Sequence, residues 1–376
     1  MYTLTFEQLL EDLYKAYIDA RRGKRNKSYQ KRFERDFCAN LHILAQDLYQ
    51  RVYEPRPSMC FIISDPKKRE VFAANFRDRI VHHLYFNYVH EMFERTFIAD
   101  SYSCIKGRGT HYGIKRLRDH IRSESRAFTR PCYVLKIDIR GYFMHIDRNK
   151  LYEIACKRLT GMATHKIKRG EPDRWEDKVD IDFCKYLTEK ISLLNPLDNC
   201  FSIGDESEWK DLPHDKSLFY SQPGVGLPIG NLTSQLYSNV YLGVFDDYMK
   251  RDMKCRHYGR YVDDAYVVST DRTFLMQLIP KAETFLKTEL GLELHKKKTK
   301  VLDVYSGVEF LGAFIRPHTI YISKGTLNRM RKHIKRTRDD ALRTGDYTHL
   351  SASFASFRGV LSHFDAYNIG TDIGLY

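Results

Sequence analysis

The chain of 376 residues carries 62 Lys and Arg against 48 Asp and Glu, a formal charge of +14, with 43% hydrophobic and 13% aromatic residues. This length and apolar content exclude a disordered chain and allow two or three packed substructures around a sizeable core. The positive excess favours a polyanionic partner, nucleic acid before a membrane surface, over a protein that is merely basic.

The eight cysteines, at 38, 60, 104, 132, 156, 184, 200 and 255, form no C-x-x-C pair. They give no zinc signature and no compact disulfide framework, and fit reduced thiols. No apolar run approaches the roughly 20 residues that span a bilayer. The N-terminal stretch MYTLTFEQLLEDLYKAY is amphipathic and acidic, unlike a signal peptide, so a cytoplasmic location is expected.

In chain order, residues 4–20 read as a helix, with Leu9, Leu10, Leu13 and Tyr17 near 3.6-residue spacing. From Arg21 to Arg35 come eight Lys or Arg opposed only by Glu34, either a solvated face or a nucleic-acid contact. Residues 36–53 read as helix until Pro55 and Pro57 break the pattern. Phe61–Ile63 and Asp65–Val71 read as a hairpin with a basic turn, followed by a helix over 76–96. Residues 133–139 are a short β-branched run, a buried strand. The stretch 162–222 is polar with weak periodicity and gives no clear element. A helix is predicted over 231–249, with Asn231 at its cap. A buried hairpin follows, 256–262 and 265–269, then a helix over 273–290 stopped by Gly291. Strands are expected at 301–305, 308–315 and 319–322. A basic helix over 324–343 holds eight Lys or Arg, with Leu327, Met330 and Ile334 as its buried stripe.

Two of these buried strands carry acids. Asp138 sits within Lys-Ile-Asp-Ile, and Asp263 and Asp264 sit at the tip of Tyr261-Val262-Asp263-Asp264-Ala265-Tyr266. Burying carboxylates is costly unless a cation satisfies them. Carboxylates from adjacent strands suit a pair of Mg²⁺ ions, hard cations that take oxygen ligands. Two such ions about 4 Å apart can activate a 3′-hydroxyl and stabilise leaving pyrophosphate. Asp246-Asp247 repeats the pair but follows a helix, and reads as solvated. His82-His83 shows no metal-ligand spacing and reads as packing or surface. Gly107-Arg108-Gly109 is too short to bind nucleotide and reads as a turn near a template.

With these residues the chain resembles the reverse transcriptases. Tyr261-Val262-Asp263-Asp264 is similar to their Y-x-D-D turn, and Lys136–Phe143 to their first palm block. The resemblance implies an α+β right-hand polymerase: fingers, a palm of antiparallel sheet packed on helices, and a short helical thumb. In that frame residues 1–130 are an N-terminal extension and fingers, 131–322 the palm with an insertion around 150–222, and 323–376 the thumb. Asp138, Asp263 and Asp264 become catalytic metal ligands joined by the Ile139 backbone, with two Mg²⁺ ions or Mn²⁺ in substitution. Phe143 becomes the aromatic gate that excludes a 2′-hydroxyl. Lys67, Lys68 and Arg69 become triphosphate cations, a role suited to mobile or forked donors. Ile229, Gly230 and Lys298 complete the nucleotide site. Arg77, Arg79, Ser234, Gln235, Tyr261, Leu311 and Gly312 are placed on template or primer, and Arg329, Lys332, Lys335 and Arg336 on the duplex.

The loop Gly226–Gln235 departs from most of the family, which carries Gln-Gly followed by Ser-Pro. Here Ile229-Gly230 and Ser234-Gln235 resemble the enzymes of diversity-generating retroelements, bacterial or phage-encoded. That branch implies a template-repeat RNA copied with errors at adenines, a primer and cDNA, deoxynucleoside triphosphates, and a small basic oligomeric accessory protein. Replacing a Gln that can hydrogen-bond the nucleotide by Ile229, which offers only shape, removes a polar constraint worth about 1–3 kcal/mol of discrimination. The alternatives are a retron-type or phage-defence reverse transcriptase, which shares the chemistry; a template-independent polymerase with the same palm; an RNA polymerase, which Tyr261 and Phe143 disfavour; and a non-catalytic nucleic-acid-binding protein, which the presence of all three Asp disfavours.

Overall fold

The computed structural model describes every residue except Met1, Arg25, Asp65, Pro66, Arg169, Asn199 and residues 374–376, and leaves out the side chain of Asp372. The Asp65-Pro66 part of the expected basic turn therefore lies outside the described residues.

Helix α1 (Phe6–Arg21) starts at a capping box: the Thr5 hydroxyl accepts the Gln8 N–H, and the Gln8 side chain accepts the Thr5 N–H. The basic stretch contributes α2 (Ser28–Arg35), anchored by buried Gln30 and Phe33, and α3 (Phe37–Tyr49) follows. Strands β1 (Ser58–Ile63) and β2 (Arg69–Ala73) pair antiparallel. Asn75 caps α4 (Phe76–Glu94) by accepting the Arg77 N–H. Then come α5 (Thr110–Glu124) and β3 (Tyr133–Asp138). Within the poorly legible stretch and just before it, Asp147 and Asp180 cap α6 (Arg148–Ala163) and α7 (Ile181–Ser192), and β4 (Cys200–Ser202) joins β1 in parallel.

Helix α8 (Leu232–Asp247) is buried almost all round, as expected of a helix inside a core. Asn231 sits at its N-terminus without capping it; the side chain instead accepts the Ala74 N–H at 3.3 Å. Asp246 is buried too, and Asp247 lies 3.9 Å from the Arg158 guanidinium, which corrects the reading of this pair as solvated.

The last third runs β5 (His257–Tyr261), β6 (Asp264–Ser269), α9 (Arg272–Leu290), β7 (Lys300–Asp303), β8 (Val308–Phe310), β9 (Ala313–Ile315) and β10 (Ile320–Ile322), then α10 (Lys324–Thr344), α11 (Thr348–Leu361) and α12 (Tyr367–Asp372). The single strand expected over 308–315 is in fact two. Leu311 and Gly312 both take positive φ, 49° and 84°, the conformation of a tight two-residue hairpin turn, and β8 and β9 pair across it.

The chain forms two compact units, each built from three segments. One comprises Met1–Ala99, Ile139–Tyr248 and Thr284–Glu293; it holds α1–α4, α6–α8 and the small sheet β2-β1-β4. The other comprises Asp100–Asp138, Met249–Glu283 and Leu294–Tyr376. Its antiparallel sheet, in the order β5-β6-β3-β7, packs Val134, Tyr266 and Val268 against Ile114, Leu117 and Ile121 of α5. A second small core there joins Met330 and Ile334 of α10 to Leu361 of α11. No helix among the described residues is long and apolar enough to cross a membrane.

Candidate active site

Backbone register brings the acids to one end of one sheet. Strand β3 pairs with β6 so that Asp138 lies opposite Asp264, and β5 pairs with β6 so that Tyr261 lies opposite Asp264. Only Val262 and Asp263 remain for the turn, and Val262 takes a φ of 55° to close it. That value is unusual for a β-branched residue. It is held from both sides: the Val262 N–H donates to Ser103 Oγ at 3.2 Å, and buried Arg260 donates to the Val262 carbonyl at 2.7 Å.

Two lysines stand on these carboxylates. Lys298 Nζ is 3.1 Å from both oxygens of Asp138, and Lys136 Nζ is 3.6 Å from Asp264 Oδ1. Lys298 was expected to face the nucleotide; here its ammonium neutralises Asp138. Lys136 was not singled out from sequence, although strand alternation puts it on the same face as Asp138 two residues later. Asp264 Oδ1 is buried and accepts no hydrogen bond. Burial lifts the Asp264 carboxyl to about 6, with Asp263 and Asp138 adding to the rise and Lys136 opposing it.

A divalent cation fits this donor set. The oxygens are hard, one of them is buried and accepts no hydrogen bond, and neighbouring negative charges crowd Asp264 in a way a cation would relieve. Among the described residues, no three or more His, Cys, Asp or Glu side chains already converge as a metal cage. The two ammonium groups provide the counter-charge in this arrangement.

Beneath the turn lies a polar network that sequence reading missed. Gly259 has no side chain to keep Tyr102 and Tyr266 apart, and their hydroxyls meet at 2.7 Å; a Cβ there would lie 2.8 Å from Tyr266 Oη and closer still to Tyr102 Oη. Tyr266 Oη is 3.0 Å from His120 Nδ1, and Asp100 accepts Arg116 Nε at 2.8 Å with His120 Nε2 at 3.5 Å. Burial works against the charge on Asp100, but hydrogen bonds from His120 and Arg116 hold its carboxyl well below the usual range. Asp100 and Tyr102 also exchange backbone hydrogen bonds with Arg260, tying the network to β5. Of this network only Gly259, Arg260 and Tyr266 lie on strands, and no local sequence pattern joins them to Asp100, Tyr102, Arg116 and His120.

The other unit holds the remaining nucleotide candidates. Phe143 and Ile229 are half-buried side chains of one apolar cluster with Cys60, Phe72, Met144, Leu218 and Trp209. The Phe72 N–H donates to the Ile229 carbonyl at 2.7 Å, and the Leu227 N–H to the Phe143 carbonyl at 2.8 Å. Lys67 and Arg69 are exposed, while Lys68 lies 3.9 Å from Asp211. Ile139 is buried and Gly230 exposed.

Arg77 departs from its expected role on nucleic acid. Its guanidinium is buried, pairs with Asp47 and Asp78, and donates to the Glu54 carbonyl. Arg79 is half-buried; it donates to the Ala74 carbonyl at 2.8 Å and lies over the Tyr29 ring. Ser234 is buried within α8, whereas Gln235 is exposed. Tyr261 is half-buried against the sheet core, as is Leu311. Gly312 sits in the β8–β9 turn, and Arg329, Lys332, Lys335 and Arg336 line the exposed face of α10.

No protein-family model matches the chain, and no curated protein matches it. Among solved structures, apo telomerase from Candida tropicalis aligns at a TM-score of 0.48 and 12% identity, over 72% of this chain and 49% of its own. Telomerase from Candida albicans in complex with a TWJ fragment of telomeric RNA aligns at 0.49 and 9% identity, over 85% of this chain and 58% of its own. The chain thus spans about half the length of the telomerase chains it matches. At these values the likeness assigns neither family nor activity.

Proposed function

We propose that this chain is an RNA-directed DNA polymerase. The observation that carries the reading is the register placing Asp138 opposite Asp264, with Asp263 in the two-residue turn between them and Tyr261. Asp138, Asp263 and Asp264, with the Ile139 carbonyl, would hold two Mg²⁺ ions, for which Mn²⁺ can substitute. Bound there, the ions supply Lewis-acid activation of a primer 3′-hydroxyl and charge stabilisation for pyrophosphate.

The chain's own residues set the conditions for that chemistry. Lys136 and Lys298 balance the carboxylates and keep them together at the end of the sheet. The Val262 turn, held by Ser103 and Arg260, fixes where Asp263 points, and positional error at such a centre is costly. Phe143 discriminates against ribonucleotides by bulk, and the exposed cations Lys67 and Arg69 attract triphosphate. The exposed basic face of α10 tracks a nucleic-acid duplex.

Within this class the chain is assigned to the adenine-mutagenising retroelement branch, copying a template-repeat RNA with the help of a small basic accessory protein. Ile229 supports the assignment, because an apolar side chain there offers no hydrogen bond to a nucleotide. The test is deoxynucleotide incorporation on a primed RNA template with Mg²⁺, with products sequenced. RNA-templated DNA carrying errors concentrated at template adenines is expected. Accurate copying would remove the branch and keep the polymerase, and absence of product even with an accessory protein would remove both.

A further inference from the structure

The stretch after α7 is joined to the β1–β2 hairpin by the pairing of β4 with β1 and, on the β2 side, by one buried acid. Glu70, in β2 directly after the cations Lys67–Arg69, is fully buried. Its carboxylate accepts three hydrogen bonds from that stretch: Trp209 Nε1 at 3.0 Å and Ser217 Oγ at 2.8 Å donate to Oε1, and the Leu218 N–H donates to Oε2 at 2.7 Å. A buried carboxylate is tolerated only with such donors, and removing it would leave three donors unpaired.

The same insertion holds the backbone on either side of Phe143. Asp215 pairs with Arg140 at 3.3 Å, its carbonyl lies 2.6 Å from where a Cβ on Gly141 would stand, and Ser221 Oγ donates to the Met144 carbonyl at 3.0 Å. On the other side, β2 carries the Phe72 N–H that binds the Ile229 carbonyl. Leu218 and Trp209 then pack into the cluster containing Phe143 and Ile229.

From this geometry we infer that Glu70, through Trp209, Ser217 and Leu218, is a specificity-positioning residue: it makes the insertion a buttress that sets Phe143 and Ile229 relative to each other. The inference rests on the polymerase reading, because only then do those two side chains select a nucleotide. The hydrogen bonds of the Glu70 carboxylate go to Trp209, Ser217 and Leu218 rather than to Phe143 or Ile229, so the acid acts through the segments between them. A shift of a fraction of an ångström in a selective wall changes discrimination more than it changes the chemical step, which the carboxylates carry.

The experiment compares wild type, Glu70→Ala, Glu70→Gln and Trp209→Phe in primer extension on RNA. It measures kcat and KM for the matched deoxynucleotide, the matching ribonucleotide and a mismatch. In parallel, alkylation of Cys60, a buried thiol in the same cluster whose burial pushes it up to about 12, is followed by peptide mapping. In Glu70→Ala, discrimination against ribonucleotide and mismatch should fall about tenfold. Over the same comparison kcat for the matched deoxynucleotide should change less than about threefold, and Cys60 should become reactive. Glu70→Gln and Trp209→Phe, which retain most of the packing, should show smaller losses in that order and keep the test open if Glu70→Ala fails to fold. Unchanged discrimination in the variants, whether Cys60 opens or stays protected, would overturn the inference while leaving the polymerase in place. Failure of wild type to extend any primer would overturn the polymerase reading, and the inference with it.

Discussion

The carboxylate sheet and the Phe143–Ile229 cluster are held by opposite means. In the sheet, backbone register does the placing: Asp138 and Asp264 sit where strand pairing puts them, Asp263 falls in the turn that pairing leaves, and side-chain hydrogen bonds to Ser103 and from Arg260 only trim that turn. In the cluster Phe143 and Ile229 lie outside the strands. Backbone hydrogen bonds from Leu227 and Phe72 hold their carbonyls, and the neighbouring segment is joined to β1 through β4 and to β2 through the hydrogen bonds of one buried Glu70. A site set by register resists single side-chain changes outside its ligands. A site set by a few side-chain bonds can be retuned by one substitution, and base selection is the property that evolution would retune.

The largest effect should come from removing a register-placed acid. Asp138→Asn is expected to lower RNA-templated incorporation by about 10³-fold, roughly 4 kcal/mol of transition-state stabilisation, in single-turnover kinetics. A loss below tenfold would break the comparison at its stronger end.

The next effect sharpens the cluster side. Ile229→Gln restores a group that can hydrogen-bond the nucleotide, and errors at template adenines should fall about tenfold when products are sequenced. Unchanged errors would sever the link between Ile229 and fidelity.

Gly259→Ala tests how the polar network supports the turn. Its methyl group would press on the Tyr102 and Tyr266 hydroxyls, so denaturant unfolding should show a loss of about 1–3 kcal/mol. Tyr266→Phe should cost about 1 kcal/mol through its lost hydrogen bonds.

The pH dependence of metal-free stability should be opposite for acid and histidines. The folded carboxyl of Asp264 is raised from 3.8 to about 6, so the fold favours its protonated form. Its contribution is fully present below about pH 4 and is lost as pH rises through about 6. Burial lowers His82 and His257 to about 4, with His83 and His120 respectively adding to it. These histidines contribute in the reverse sense, weakening the fold as pH drops from about 6.5 to about 4. The difference between wild type and Asp264→Asn cancels the histidines. In EDTA the variant should be the more stable at pH 7, and its advantage should shrink towards pH 4. An advantage independent of pH would contradict the crowded-carboxylate account.

The legibility of the two regions in the sequence follows from the same contrast. Strand alternation and a Tyr-Val-Asp-Asp tip are local patterns, so β3, β5, β6 and the three acids could be read from a few consecutive residues. Even Lys136 was within reach by alternation, and was overlooked because a lysine in a strand reads as an edge or surface residue. The partners of Glu70 lie 139 to 148 residues away, in a stretch without helical or strand period, and no local pattern announces them. Arg77 shows the same limit: its place on nucleic acid is what the family resemblance implies, and only tertiary packing reveals Asp47 and Asp78 beside it. The β8–β9 break was hidden because Leu311 takes a positive φ that its side chain disfavours, leaving Gly312 as the one visible signal.

The most direct test of the central claim is single-turnover addition of one deoxynucleotide to a primer on an RNA template, by wild type and Asp263→Ala under the same Mg²⁺. The account predicts addition by wild type and a loss of at least about 10³-fold in the variant. Equal rates would mean that the Tyr-Val-Asp-Asp turn is not where the chemistry occurs.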